Sequence, residues 1–184
     1  MRDNRYQVER LGASLERRLE KNDLLENYNN VFESYVKREA LVRVDQKELK
    51  EYVANGGYIH FIGHHGVMKD TSTTTPLRMV ANCALKNNNT GPSANDLWPK
   101  GPNSLSNLVE VWIRWRCYEK AVVWDLAKAY QSIRTTEKEK FLRLVVWRYG
   151  HTEEPWQIFG FDRVTFGNVP ASVILEIAKK NSSR

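Results

Sequence analysis

An apolar run that ends in a carboxylate is the most informative feature of this chain: Val122-Val123-Trp124-Asp125-Leu126-Ala127-Lys128-Ala129-Tyr130. The β-branched and aromatic residues before Asp125 predict a strand over 121–124. A carboxylate at a strand end, followed by a turn and an aromatic residue, suits a site that holds Mg²⁺ against a nucleoside triphosphate. Such sites usually need a second carboxylate to hold a pair of metal ions. The run therefore raises the question of which other acidic residues complete the site.

The composition predicts a folded, soluble protein with a moderate excess of positive charge. Its 184 residues, 41% of them hydrophobic, are enough to bury the core of one domain. The 28 Lys and Arg residues against 22 Asp and Glu give a net charge of +6, which favours a polyanionic partner. The two cysteines are too few for a disulfide framework, and no zinc-ligand spacing occurs. Because no apolar run approaches the roughly 20 residues of a membrane span, we expect an intracellular protein, cytoplasmic or nuclear, with no membrane partner.

The first 55 residues are predicted to form a helical leader. Apolar residues recur at three- and four-residue steps over 5–39, which indicates two helices with a break at 21–23. Asn22 or Asp23 is the expected N-cap of the second helix. A third, shorter helix is predicted from Asp45 to Tyr52, ended by the turn formers that follow it. The predicted domain division is 1–55 for the leader and 56–184 for the remainder.

After Gly57 the pattern changes to short strand-like segments. Residues 67–69 and 77–80 are predicted strands, joined by the polar tract 70–75 as an exposed hairpin tip. The remaining predictions are a strand over 58–62, a loop-rich stretch over 86–104, a helix over 105–118, a strand over 121–124, a helix or hairpin around 135–140, a strand over 141–149, and a strand and helix from Val164 onward.

Eight short motifs follow one another in a characteristic order. They are Gly63-His64-His65-Gly66-Val67-Met68-Lys69, Ser72-Thr73-Thr74-Thr75-Pro76-Leu77-Arg78-Met79-Val80, Asn95-Asp96-Leu97, Gly101-Pro102-Asn103, Trp124-Asp125-Leu126, Ala129-Tyr130-Gln131-Ser132-Ile133, Val146-Trp147-Arg148 and Val164-Thr165-Phe166-Gly167. In this order they resemble the reverse transcriptase of BEL/Pao-type long-terminal-repeat retrotransposons. The leader, with Leu15-Glu16-Arg17-Arg18-Leu19 and Glu26-Asn27-Tyr28, is similar to the segment that precedes that domain. The resemblance covers essentially the whole chain.

The resemblance implies an α+β fold, with the fingers and an incomplete palm of the right-hand polymerase fold after an N-terminal helical segment. It implies a fragment of a retrotransposon-derived RNA-directed DNA polymerase, whose full-length parent transfers nucleotides under template control with two Mg²⁺ ions. The implied partners are an RNA template, an RNA/DNA duplex and deoxynucleoside triphosphates.

The resemblance also implies roles for single residues. Asp125 matches the first catalytic aspartate and Mg²⁺ ligand, and the backbone carbonyl of Leu126 matches a further ligand of the metal. Lys69 and Arg78 match the fingers cations that grip the triphosphate, and Tyr130 matches the aromatic residue that crowds the sugar 2′ position. Thr165, Phe166 and Gly167 match the start of the segment beneath the templating base. Taken without the resemblance, these are ordinary strand-end, surface-charge and core residues.

The chain also departs from the family pattern. Ala81-Asn82-Cys83-Ala84 replaces the usual Phe-Asp-Ala-Ser, so an aromatic residue and a carboxylate are lost from the expected nucleotide pocket. Pro170 comes early after Gly167. The aromatic-x-Asp-Asp hairpin with the other catalytic carboxylates does not occur, and neither Asp162 nor Glu176 forms such a pair. We therefore expect the chain to be inactive alone.

Two functions of other classes remain open at this stage. One is a co-opted, non-catalytic module that binds RNA or DNA through its basic face and exposed aromatic residues. The other is a protein-interaction module that binds a partner at the open apolar edge of the palm.

Overall fold

The computed structural model describes residues 4–69, 76–87, 91–103, 105–123 and 125–182. The described residues form six α-helices and five β-strands. The helices are α1 (Arg5–Lys21), α2 (Leu25–Lys37), α3 (Gln46–Ala54), α4 (Ala94–Leu97), α5 (Leu108–Arg116) and α6 (Ala171–Ser182). The strands are β1 (Leu41–Arg43), β2 (Gly63–Met68), β3 (Leu77–Asn82), β4 (Leu144–Trp147) and β5 (Gln157–Phe161), and two short 3-10 helices cover Ala129–Ser132 and Glu137–Leu142. The predicted α+β class is confirmed.

The two predicted leader helices are confirmed as α1 and α2. Most of the apolar stripe of α1 is buried, although Leu11 is 44% exposed, and α2 buries Tyr28, Phe32 and Tyr35. The predicted N-cap of α2 is wrong. Asn22 instead closes α1, because its side-chain nitrogen donates to the carbonyl of Arg18 at 2.6 Å. Asp23 has a left-handed backbone (φ 54°), whereas an N-cap needs an extended one, so Leu24 precedes α2.

The predicted third helix is also confirmed. Asp45 is the N-cap of α3 and accepts a hydrogen bond from the backbone N–H of Lys47 at 3.1 Å. The helix ends at Asn55, and Gly56 follows with a positive φ of 81°, which glycine adopts without strain.

Strands β1, β5 and β4 form an antiparallel sheet in that order. All four side chains of β4 are buried, so the strand predicted over 141–149 is confirmed at its centre. The predictions for 58–62 and for a strand at Val164 are wrong. Phe61 makes an isolated bridge to Leu144, and Val164 donates its N–H to the carbonyl of Ile133 outside any strand.

The predicted hairpin is confirmed as β2–β3, with longer strands than expected. The antiparallel register pairs Gly63 with Asn82 and Met68 with Leu77. The tract predicted as its tip, 70–75, lies outside the described residues. Tyr28, Phe32 and Tyr35 of α2 share one buried core cluster with Leu77 and Met79 of β3.

The chain after β3 is less densely packed. Helix α5 confirms the helix predicted over 105–118, and α6 confirms the predicted final helix. The strand predicted over 121–124 is wrong for 121–123, which have no regular structure, and Trp124 lies outside the described residues. No helix among the described residues is long and apolar enough to span a membrane. The core cluster that holds residues of α1 and α2 also holds residues of β3, β4 and β5, so packing is continuous across the predicted boundary at 55/56.

Candidate functional site

The β2–β3 hairpin places the two predicted triphosphate cations, Lys69 and Arg78, on one face. Arg78 is paired with Val67 in the register, and the N–H of Lys69 donates to the carbonyl of Pro76 at 2.7 Å, which extends the ladder by one residue. Side chains directly opposite each other lie on the same face of an antiparallel pair. Lys69 and Arg78 are therefore diagonal neighbours, with backbones roughly 7–8 Å apart. Both side chains are exposed.

Tyr130 and Phe166, which are 36 residues apart in the sequence, form an aromatic pair. Their ring centroids lie 5.0 Å apart with an interplanar angle of 88°, an edge-to-face arrangement. Tyr130 lies in the 3-10 helix Ala129–Ser132, and Phe166 is 44% exposed. Thr165, beside Phe166, is buried. The structure thus brings the predicted sugar-side aromatic residue and the predicted template-side residues together.

Gly167 joins this aromatic pair to the far end of β3. A Cβ at Gly167 would lie 2.3 Å from the carbonyl oxygen of Ala81, and its φ is +102°, so both space and backbone favour glycine. Asn95 holds the same turn, because its side chain donates to the carbonyl of Gly167 at 2.9 Å and accepts from the N–H of Val169 at 3.0 Å. The strand that carries Arg78 therefore also contacts Gly167, the residue after Phe166.

Cys83 lies in the stretch Ala81–Ala84, which differs from the family pattern, and it has a packing role. Cys83 is buried, and its thiol donates to the side-chain oxygen of Asn168 at 2.8 Å. Burial raises the pKa of the Cys83 thiol to about 12, so the thiol stays protonated and is a poor nucleophile. This residue supports the turn at 167–169 and does not supply reactive sulfur.

Sequence reasoning missed a polar cluster at the C-terminal end of α2, since no motif marks it. The hydroxyl of Tyr35 donates to the carbonyl of Met79 in β3 at 3.4 Å, and the guanidinium of Arg38 lies 5.4 Å from the Tyr35 ring centroid. Burial raises the pKa of the Tyr35 phenol, while the positive charges of Arg38 and Arg78 act in the opposite direction. The cluster connects the C-terminal end of α2 to β3.

His64 fixes the hairpin to the core through both ring nitrogens. Nδ1 lies 2.7 Å from the hydroxyl of Tyr28, and Nε2 lies 3.0 Å from the carbonyl of Val146. Since a carbonyl oxygen accepts only, Nε2 carries the proton and Nδ1 accepts from the tyrosine. Burial lowers the pKa of His64 to about 4, so the ring is neutral near pH 7. His64 thus links β2 to α2 and β4.

Asp125 and Leu126 are exposed and lie in a segment without regular structure. Among the described residues, no group of three or more His, Cys, Asp or Glu side chains is close enough to hold a metal ion. The carboxylates of Asp162 and Glu176 form ion pairs with Arg134 and Lys179.

The segment before Asp125 exposes an unusual amount of apolar surface. Helix α5 has no buried residue, and Trp112, Trp115 and Tyr118 are 55%, 45% and 71% exposed. Together with Val122 and Val123 these side chains line an open apolar groove whose charged lining residue is Arg114. Contiguous apolar patches of this kind are typical of surfaces that are covered by another chain or segment.

In comparisons with known proteins, no protein-family model and no curated protein matches the chain. The function of the chain is therefore inferred from its motifs and from where the fold places their residues.

Proposed function

We propose that this chain is a reverse-transcriptase-like fingers and partial palm module that binds the phosphates of a nucleotide along β3. The observation that carries the proposal is the convergence on that strand. Lys69 and Arg78 share one face of the hairpin, and Gly167, next to the Tyr130 and Phe166 pair, contacts Ala81 at its end. Lys69 and Gly167, the outermost of these positions, are 98 residues apart in the sequence. All of these residues were identified from motifs alone, and the fold brings them to one strand.

The chemistry of each group suits a nucleotide. A lysine ammonium and an arginine guanidinium bind phosphate oxygens as a point charge and as a planar fork. An exposed aromatic edge next to this site contacts a sugar or a base. Neither Lys69 nor Arg78 has an ion pair with a carboxylate in the part of the chain that the structure describes, so both cations are available to an anion.

In this proposal, nucleotide transfer belongs to the full-length parent polymerase and not to this chain alone. Among the described residues, no three His, Cys, Asp or Glu side chains are grouped so that they could hold a metal ion. We expect no template-dependent extension of a primer by the isolated chain. Extension that is lost in Asp125→Asn would overturn this part of the proposal.

Calorimetric titration with a deoxynucleoside triphosphate tests the binding function. We expect the double variant Lys69→Ala/Arg78→Ala to bind at least roughly tenfold more weakly, because each lost charged contact is worth about 1.5 kcal/mol or more. The matched control is Arg17→Ala/Lys50→Ala, which removes the same charges from exposed positions on α1 and α3. Equal weakening in both variants would reduce the effect to net charge, and absence of binding by the wild type would refute the proposal.

The exposed apolar face of α5 favours a second candidate, a protein-interaction module. Sedimentation velocity over a range of concentrations tests it, with Trp112→Ser/Trp115→Ser as the comparison. Association of the wild type that is lost in the variant supports an interaction surface. A wild type that stays monomeric and behaves like the variant argues against self-association.

A further inference from the structure

We infer that the outer face of α1 binds the phosphate backbone of a nucleic acid. Four cations of the helix and one from the segment after β3 form this surface, which we call the α1 basic face: Arg10, Arg17, Arg18, Lys21 and Lys86. The face shares no residue with the proposed nucleotide site on β3. The inference therefore goes beyond the proposed function and does not depend on it.

Helical periodicity places the four cations of α1 on one side of the helix. At about 100° per residue, they lie within about 100° of the helix circumference, and they extend over about 16 Å along its axis. All four side chains are exposed, whereas Val8, Leu15 and Leu19 on the opposite side are buried. The core thus fixes which side of α1 faces solvent, and that side is the cationic one.

Lys86 joins this face from a distant part of the sequence. The side-chain nitrogen of Gln7 donates to the carbonyl of Lys86 at 3.0 Å. Around the helix, Gln7 lies between Arg10 and Arg18. Lys86 is exposed, so a contact between positions 79 residues apart brings a fifth cation beside the other four.

No cation of the α1 basic face forms an ion pair with a carboxylate in the described part of the chain. Helix α1 contains three acidic residues, and two of them have other partners. Glu9 pairs with Arg5 at 2.7 Å. Glu16 pairs with Arg148 at 3.0 Å. The third, Glu20, is exposed at the edge of the face. The five cations are therefore available to an external anion.

The cations of α1 also repel one another. Arg17 and Lys21 are one helical turn apart, a spacing at which like charges destabilise a helix. The guanidinium of Arg17 donates to the carbonyl of Ala13 at 3.3 Å and to the hydroxyl of Ser14 at 3.4 Å. Both acceptors are neutral, so neither offsets the charge of Arg17. A bound row of phosphates would relieve this repulsion.

A nucleic-acid backbone is the polyanion that fits this row of cations. Its phosphates repeat every roughly 3.4 Å along each strand, so cations spread over about 16 Å can contact several of them at once. A membrane surface fits less well, because an interfacial helix inserts its apolar side and the apolar side of α1 is buried in the core. An acidic protein fits less well, because protein interfaces have an apolar centre. The exposed large apolar residues of α1, Tyr6 and Leu11, lie at opposite edges of the face.

Fluorescence anisotropy with a short labelled DNA duplex, repeated over a series of salt concentrations, tests the inference. We expect Arg10→Gln/Arg17→Gln to weaken binding at low salt by roughly tenfold or more. The slope of log K against log salt should decrease in magnitude by about two, because each lost phosphate contact removes close to one released counterion. The matched control is Lys47→Gln/Lys50→Gln, which removes the same charge from exposed positions on α3 and should leave the slope unchanged.

Ser14→Glu is a second variant that removes no cation. Ser14 is exposed near the middle of the face, so a carboxylate there should also weaken binding to the duplex. Circular dichroism checks that each variant is folded. Failure of the deoxynucleoside triphosphate titration would leave this inference standing, because the two sites share no residue.

The same titrations with other polyanions identify the source of the phosphates. Of single-stranded RNA and the duplex, the form that binds more tightly and depends on Arg10 and Arg17 is the ligand. Unchanged affinity and slope in Arg10→Gln/Arg17→Gln, equal losses in both double variants, or no binding of either nucleic acid by the wild type at low salt would overturn the inference. Binding to phosphatidylserine vesicles that needs Arg10 and Arg17, without binding to nucleic acid, would assign the face to a membrane surface, and the nucleic-acid assignment would be wrong.

Discussion

The β2–β3 hairpin carries the predicted triphosphate cations, and the segment 105–126 carries the predicted metal ligands Asp125 and Leu126. The two regions differ in what packs against them. The hairpin contacts α2 through Tyr28, Phe32 and Tyr35, and His64 connects it to β4. The described aromatic and aliphatic side chains of the segment 105–126 are exposed, and Asp125 is exposed as well. Lys69 and Arg78 are therefore carried by a hairpin that packs on the core, whereas Asp125 lies in an exposed segment without regular structure.

This difference explains why the site is only half assembled. The positions of Lys69 and Arg78 relative to each other are fixed by the antiparallel hairpin, in which six residue pairs are aligned. Asp125 directly follows the predicted strand 121–124, yet residues 121–123 have no pairing partner among the described residues. An apolar run without a partner strand has no ladder to hold it extended, because β-propensity mainly reflects packing against neighbours.

The largest expected effect comes from a matched pair of tryptophans, one in each region. Trp147 in β4 is fully buried and donates from Nε1 to the side chain of Asn29 at 3.0 Å, whereas Trp112 in α5 is 55% exposed. We expect Trp147→Ala to lower the free energy of unfolding by about 3–5 kcal/mol. Trp112→Ala should change it by less than about 1 kcal/mol.

Urea denaturation of both variants measures this contrast. A loss for Trp112→Ala as large as that for Trp147→Ala would break the comparison, because the segment 105–126 would then be part of a stable core.

Gly167 gives the next largest effect and tests whether β3 contacts the Phe166 turn. Its positive φ and the 2.3 Å approach to the carbonyl oxygen of Ala81 both oppose a side chain. We expect Gly167→Ala to cost about 2–3 kcal/mol of stability. Gly56→Ala is the control, since Gly56 also has a positive φ of 81° but no atom within 4 Å of the added Cβ, and it should cost about 1 kcal/mol.

Thermal denaturation of the two glycine variants separates backbone strain from steric contact. Equal losses in both would mean that the contact between Gly167 and Ala81 contributes nothing, and the link between the two ends of the candidate site would be lost.

The sequence predicted the elements whose signals are local and missed those that depend on distant partners. Periodic apolar residues were sufficient for α1, α2 and α5, and turn chemistry at Asp45 and Asn55 was sufficient for α3. Strand β1 is three residues long, and β5 contains Gly160, whose lack of a side chain matters because Lys140 lies against it. Neither strand has a local signature, and both are stabilised by pairing with each other across 120 residues.

The same reasoning applies to the candidate site. Motif positions marked Lys69, Arg78, Tyr130 and Phe166, and the fold gathers these four around β3. The contact between Tyr35 and the carbonyl of Met79 could not be found in this way, because it arises from how α2 packs on the hairpin and not from any spacing along the chain.

A pH titration of stability is the third test, with a smaller effect. In the folded state the pKa of His64 is lowered by burial from 6.5 to about 4. Between these values the unfolded chain binds a proton that the folded chain does not, so stability is complete above pH 6.5 and falls as the pH is lowered toward 4. One proton corresponds to a slope of at most about 1.4 kcal/mol per pH unit.

Denaturation of His64→Gln at several pH values measures this contribution. The slope below pH 6.5 should decrease relative to the wild type but not vanish, because burial also lowers the pKa of His60. An unchanged slope in His64→Gln would mean that His64 does not connect the hairpin to the core in its neutral form.

Asp125→Asn should have the smallest effect on the free energy of unfolding. It tests whether the exposed segment 105–126 is held in place at Asp125. An exposed carboxylate in a segment without regular structure makes few contacts, so the free energy of unfolding should change by less than about 0.5 kcal/mol. Asp162→Asn is the matched control, because Asp162 is largely buried and accepts from Arg134 at 3.0 Å. It should cost about 1 kcal/mol or more, since a charge-assisted hydrogen bond is lost. If Asp125→Asn is as costly as Asp162→Asn, the carboxylate has a partner and the segment is held in place. The contrast between an assembled hairpin and an unsupported aspartate would then be wrong.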